Sequence, residues 1–129
     1  MLKILLIDDD AFERELLIVH LIKAGLNAFD VQQVTKCSSG LECLLHNVYD
    51  IVLLDNSLAD NISAEFSVPF IKGWLKGAPL IIISNNIDVP HLQRPDILGV
   101  DAIVDKKDLS QFMAKIMPAI QPRRARGAA

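Results

Sequence analysis

Lys3-Ile4-Leu5-Leu6-Ile7-Asp8-Asp9-Asp10-Ala11-Phe12-Glu13 is the stretch on which the fold turns. Its first five residues are nearly all apolar, as in a parallel strand covered on both faces. Three aspartates end that strand. Asp10 and Glu13 then make a capping box of the Asp-x-x-Glu form, which opens a helix. The helix is expected to run to about Ala24 and to close on Gly25. A strand that leads through a short acidic turn into a helix is the first half of a βαβ unit.

The rest of the chain repeats the alternation. Val31 to Lys36 reads as a second strand, and Ser39-Gly40-Leu41-Glu42 as a second capping box opening a helix to about Asn47. Asp50-Ile51-Val52-Leu53-Leu54 is a third strand ending at Asp55. Phe66, Phe70 and Trp74 fall at i, i+4 and i+8 of a third helix and are expected to form its core face, since large aromatics mostly pack inside. Pro69 is expected in the first turn, which places the start near Ser67. Leu80 to Ile83 is a fourth strand. Pro90 and Pro95 make the next helix short or irregular. Ala102-Ile103-Val104 is a fifth strand, and Asp108 caps a last helix ending near Pro118. Five strands alternating with five helices imply an α/β domain with a parallel sheet; a doubly wound, flavodoxin-like order 2-1-3-4-5 is expected for it.

Composition sets the bounds. The chain has 129 residues, 51% of them hydrophobic and 22% charged, an ordinary globular balance with room for one domain. No apolar run approaches the ~20 residues of a membrane span, and the acidic turn after Ile7 excludes a secretory signal. Cys37 and Cys43 suit a reducing cytoplasm better than a disulfide framework. Net charge is −3, and the last residues hold Arg123, Arg124 and Arg126 with no acid among them. The body is therefore more acidic than the whole, which argues against general nucleic-acid binding. Residues 1–121 are expected to form the domain and 122–129 a loose basic tail.

In the order 2-1-3-4-5, ligands bind at the carboxyl ends of the strands, where the first and third are neighbours. Four of those ends carry polar groups: Asp8 and Asp9, then Asp55, then Ser84, with Lys106 just past the fifth strand. Singly these residues read as loop, turn or surface groups. Together they are expected to converge on one site. Clustered carboxylates repel one another, and a divalent cation removes the conflict. Few carboxylates with only oxygen donors suit Mg²⁺, which favours phosphate oxygens. A lysine and a serine hydroxyl complete a phosphoryl site, and a carboxylate at a strand end is a competent nucleophile for an aspartyl-phosphate. His20, His46 and His91 are isolated and read as surface or packing residues.

These motifs resemble the receiver domain of bacterial two-component response regulators. The resemblance rests on Ile4 to Asp10, Asp50 to Asp55, Pro79 to Ser84, and Gly99-Val100-Asp101-Ala102 followed by Lys106. It implies that Asp55 accepts a phosphoryl group from a histidine kinase or histidine phosphotransfer protein. It also implies that Asp9 binds Mg²⁺ directly and Asp8 through water, with Asp55 and the Ser57 backbone carbonyl as further ligands. Lys106 would pair with the phosphoryl group, and Ser84 would follow it inward. The chain departs from the family pattern at four places. Asn56 to Asn61 lacks the usual proline and glycine, so that loop is expected to be remodelled. Asn85 replaces a small residue and is expected to modulate phosphoryl lifetime. Ile103 stands where an aromatic often reports phosphorylation, and Lys107 stands where proline often follows the lysine, so a trans bond is expected there.

Three functions compete. The leading one is a single-domain phosphoacceptor switch, not a turnover enzyme, that acts by touching an unidentified downstream protein, since neither a DNA-binding nor a membrane segment is read. The second is a receiver-like adaptor that binds its partner without phosphorylation. The third is a small hydrolase with Asp8 as nucleophile and Asp10 as acid, for which the chain is short and Asp10 better suited as a helix cap.

Overall fold

A computed structural model describes residues 1–58 and 63–120. Strands β1 (Leu2–Ile7), β2 (Phe29–Val34), β3 (Ile51–Asp55), β4 (Leu80–Ser84) and β5 (Ala102–Asp105) alternate with helices α1 (Glu13–Lys23), α2 (Cys37–His46), α3 (Ala64–Lys72), α4 (Pro95–Leu98) and α5 (Leu109–Ile116). All strand pairs are parallel, in the order β2-β1-β3-β4-β5, as expected from the sequence. No helix among the described residues is long and apolar enough to cross a membrane. The predicted basic tail, 122–129, lies outside the described residues.

The apolar strands explain the layering. β1, β3 and β4 are buried along almost their whole length, so alternate side chains feed two cores. Leu5, Ile7, Val52, Leu54, Leu80 and Ile82 meet α2 and α3 on one face. Ile4, Leu6, Ile51, Leu53, Ile81 and Ile83 meet α1 and α5 on the other. At Gly40 a Cβ would run into the Ile7 side chain, so the absent side chain lets α2 lie close against the sheet.

Several local expectations are corrected. β2 starts two residues earlier and ends at Val34, which places Cys37 inside α2. The Ser39–Glu42 box is therefore not an N-terminus: α2 is entered from Lys36 with no side-chain cap. The Asp10–Glu13 box is half used. Asp10 Oδ1 accepts from the Phe12 amide at 2.9 Å, but the Glu13 side chain turns into the protein. At the last helix the side-chain cap is not Asp108; instead Asp105 Oδ1 accepts from the Lys107 amide. No peptide bond among the described residues is cis, as expected at Lys106–Lys107.

The largest correction is α3. It begins at Ala64, so Pro69 lies inside it and not in its first turn. Proline offers no N–H to the Glu65 carbonyl, and Glu65 and Pro69 lie on the exposed side of the helix. The buried stripe is Ala64, Ser67, Val68 and Ile71, spaced i, i+3, i+4, i+7. Phe66, Phe70 and Trp74 are 63%, 63% and 46% exposed, the reverse of the core role expected for them. Small and branched residues fit the narrow space beside α2, where Cys37 Sγ lies 4.0 Å from the Ser67 carbonyl; three large rings would not.

Candidate functional site

Register brings the polar strand ends together. Ile7 pairs with Leu54, so Asp8 and Asp55 follow at the same level on adjacent strands. Ser84 pairs with Asp105, so Lys106 follows one step beyond. One carboxylate oxygen from each of Asp8, Asp9 and Asp55 lies within 4.8 Å of the others. Asp8 is fully buried, Asp55 is nearly so, and Asp9 is exposed. A cleft of about 360 Å³ opens above them, lined by Asp9, Asp55, Asn56, Ser57, Ser84, Asn85, Asn86 and Lys106 among others.

Lys106 is the counter-charge. Its Nζ lies 2.9 Å from Asp8 Oδ2, 3.7 Å from Asp55 Oδ2 and 3.9 Å from Glu13 Oε2. Burial pulls the Lys106 ammonium down, but the Asp8 contact and the charges of Asp55 and Glu13 outweigh it and hold the group above the ordinary lysine value. One ammonium does not satisfy three carboxylates. Burial, then the neighbouring Asp8, pushes Asp55 up to about 7 against the pull of Lys106 and the Ser57 amide. Asp8 Oδ1 accepts from the Asp10 amide. Its buried Oδ2 lies against the Lys106 ammonium at 2.9 Å. The donor set is all oxygen, under-neutralised and open to a cleft, which fits a small hard cation with retained waters.

Ser84 Oγ is occupied by its own loop: it donates to the Asn86 carbonyl and accepts from the Asn86 amide. Asn85 is exposed at the cleft rim. Ser57 lines the cleft and forms an isolated antiparallel bridge with Ser63. The remodelling expected for the loop after Asp55 falls mainly on 59–62, outside the described residues. Asp10, the acid of the hydrolase reading, is engaged with the Phe12 amide as a helix-start residue.

Three residues at or beside the cleft have other readings in the sequence: Glu13 as part of a capping box, Asn56 as part of a remodelled loop and His91 as an isolated histidine. Glu13 is 5% exposed, and burial followed by nearby Asp8 and Asp10 raises its pKa although Lys106 opposes this. It shares the i, i+4, i+8 stripe of Leu17 and Leu21, and an acid within an apolar stripe was a legible signal. Asn56 is buried; its Oδ1 accepts from the Ala64 amide at 3.2 Å and lies 2.7 Å from His91 Nε2. His91 in turn faces Glu65 at 3.8 Å. His91 is thus not isolated, a partnership the sequence could not show because 35 residues separate it from Asn56. His20 on α1 and His46 on α2 lie away from the cleft.

No family model matches the chain, and no curated protein matches it. Solved structures do. The response regulator receiver domain from Rhodospirillum rubrum is similar at a TM-score of 0.74 and 19% identity, over 94% of this chain and 96% of that one. Vibrio cholerae chemotaxis protein CheY4 is similar at 0.72 and 17% identity, over 94% and 99%. The receiver domain of a Pseudomonas aeruginosa sensor histidine kinase, with a magnesium ion coordinated in its active-site cleft, is similar at 0.68 and 16% identity, over 88% and 95%. The fold is that of response regulator receiver domains.

Proposed function

We propose that this chain is a phosphoacceptor switch in which Asp55 takes a phosphoryl group from a phosphohistidine donor. The observation that carries this reading is the convergence of Asp8, Asp9 and Asp55 on one lysine at the open end of the sheet. In the transfer, an Asp55 carboxylate oxygen attacks phosphorus, and the P–N bond of the donor breaks with its electron pair leaving on the imidazole. Asp8, Asp9, Asp55 and the Ser57 carbonyl would hold Mg²⁺, which when bound neutralises charge on the carboxylates and the phosphoryl oxygens. Lys106 pairs with the incoming phosphoryl group, for which it must share its present contacts with Asp8 and Glu13. Ser84 reaches that group after giving up its bonds to Asn86, a rearrangement of the loop that output requires. Asn85 stands at the rim and sets water access. Such a domain is a cytoplasmic switch acting through protein contacts, and slow self-hydrolysis resets it.

The test is direct. Incubation with Mg²⁺ and a small phosphodonor should add one phosphoryl group by intact mass, and Asp55→Asn should abolish the gain. No gain at saturating donor, with the circular dichroism of a folded protein, would sink this reading.

A second reading is a receiver-like adaptor that needs no phosphorylation. Ile103 favours it: this side chain, at the place of the usual reporting aromatic, is half buried and packed against the core.

A further inference from the structure

Asn56 stands between Asp55 and Ser57 and is 6% exposed. Its side chain joins three separate parts of the fold. Oδ1 accepts from the amide of Ala64, the first residue of α3, at 3.2 Å. That amide needs an acceptor, so the oxygen of Asn56 is the atom turned this way, and the same oxygen lies 2.7 Å from His91 Nε2. Nε2 therefore carries the ring proton and donates it. The other ring nitrogen, Nδ1, faces Glu65 Oε2 at 3.8 Å. Ala64 and Glu65 are consecutive, so these four residues close a circuit through Asn56 and the histidine ring.

The two sides of the circuit differ. His91 lies in the short helical turn Pro90–Leu92, between β4 and α4. Leu92 is buried, and Gln93 Nε2 donates to the Ile87 and Val89 carbonyls at 2.8 and 3.3 Å, so this turn holds its shape without Asn56. On the other side the chain is leaving the sheet. The Asn56 amide still donates to the Ile83 carbonyl at 2.9 Å. Past that bond, the Asn56 side chain is what ties the backbone between Asp55 and Ser57 to the start of α3 and to the β4–α4 segment.

We propose that His91 is a positioning residue for the Asp55 site: its ring holds the Asn56 side chain, and through it the backbone that presents the Asp55 carboxylate and the Ser57 carbonyl. The inference rests on the reading of that site as a Mg²⁺-assisted phosphoacceptor, and adds to it a ring 35 residues away in the chain from Asn56. Linkage makes the dependence reciprocal. If the His91 bond favours Mg²⁺ binding, Mg²⁺ holds the bond more firmly in return.

The test is a calorimetric Mg²⁺ titration of the full chain with no phosphodonor present. His91→Phe keeps a ring and removes the donor. It should weaken Mg²⁺ binding by roughly three- to tenfold, within the range for side chains coupled to a site they act on through others. His91→Gln places an N–H donor near the position of Nε2 and should restore most of the loss. In an Asn56→Ala background His91→Phe should change nothing further. In the unsubstituted chain, Mg²⁺ should slow hydrogen exchange of the His91 ring N–H and of the Ala64 amide, read by NMR. Four results would overturn the inference and leave the phosphoacceptor reading standing: Mg²⁺ affinity indifferent to His91→Phe, no rescue by His91→Gln with unchanged circular dichroism, additive losses in the double variant, or ring and amide exchange indifferent to Mg²⁺. An unsubstituted chain that binds no Mg²⁺ would overturn both.

Discussion

The two ends of the parallel sheet hold the same residue type for opposite purposes. At the amino end Asp50 Oδ2 accepts from the Lys3 amide at 2.7 Å, and Asp101 Oδ2 accepts from the Leu80 amide at 2.8 Å. There each carboxylate finds the unpaired N–H of a neighbouring strand. At the carboxyl end the strands present carbonyl oxygens, which cannot donate. Asp8, Asp9 and Asp55 therefore meet chiefly one another, with a single lysine between two of them. An aspartate at the first end is satisfied by the backbone and contributes stability. At the second end it is left electrostatically incomplete, and the proposed binding of a cation and a phosphoryl group rests on that deficit.

Removing a carboxylate should therefore have opposite consequences at the two ends. The largest effect belongs to Asp50, which is 3% exposed. Asp50→Ala orphans a strand amide and should cost about 2–3 kcal/mol, and Asp101→Ala about 1 kcal/mol. Both losses are readable by urea denaturation, and both variants should still take up phosphoryl on Asp55. Stability unaffected by Asp50→Ala would erase the contrast.

Asp55→Asn should act in the other direction. With Asp55 raised to about 7 in the folded chain, its ionised form is the less favourable one in the native state. The metal-free protein is therefore favoured by Asp55 protonation at low pH, and that benefit is lost as pH rises from the ordinary carboxylate value through about 7. Asp55→Asn should raise Tm at pH 8 in EDTA by roughly 3–8 °C, and the gain should shrink toward pH 5. A thermal melt series in which the variant is less stable at pH 8 contradicts this.

The smallest effect concerns Glu13, which shares Lys106 with the site at 3.9 Å. Glu13→Gln leaves the ammonium one competitor fewer. Affinity for a phosphoryl analogue such as beryllofluoride should tighten by roughly two- to fivefold, the scale of one partly screened charge contact. Weaker binding would mean that Glu13 positions Lys106 and does not compete for it.

Much of this was legible in the sequence where one physical rule dominates. Apolar runs such as Leu80 to Ile83 give the strands, and their alternation with helices gives a parallel sheet. The site residues Asp8, Asp9, Asp55, Ser84 and Lys106 could be brought together because strand ends are fixed by topology. Legibility failed where two rules competed. Phe66, Phe70 and Trp74 and the set Ala64, Ser67, Val68 and Ile71 are both helical stripes; ring size favoured the first, but the narrow gap beside α2 selected the second. Likewise Ser39 to Glu42 has the form of a helix start, yet β2 ends early enough for the helix to begin at Cys37. The Asn56–His91 contact joins residues from separate loops, and no local pattern encodes such a meeting.

β5 has four residues and one neighbour, because it stands at the edge of the sheet. It also delivers Lys106, whose partner Asp8 stands almost the full length of the described chain away. A parallel sheet has no hairpins, so these two residues come into register only when the final crossover has closed. In reverse, the short outer strand is where fluctuations of a folded chain cost least. Each such opening withdraws the lysine and leaves Asp8 and Asp55 facing each other while β1 and β3 stay paired. The persistence of the charged assembly is thus set by the least anchored strand, and amide exchange along Ala102–Asp105 measures its lifetime.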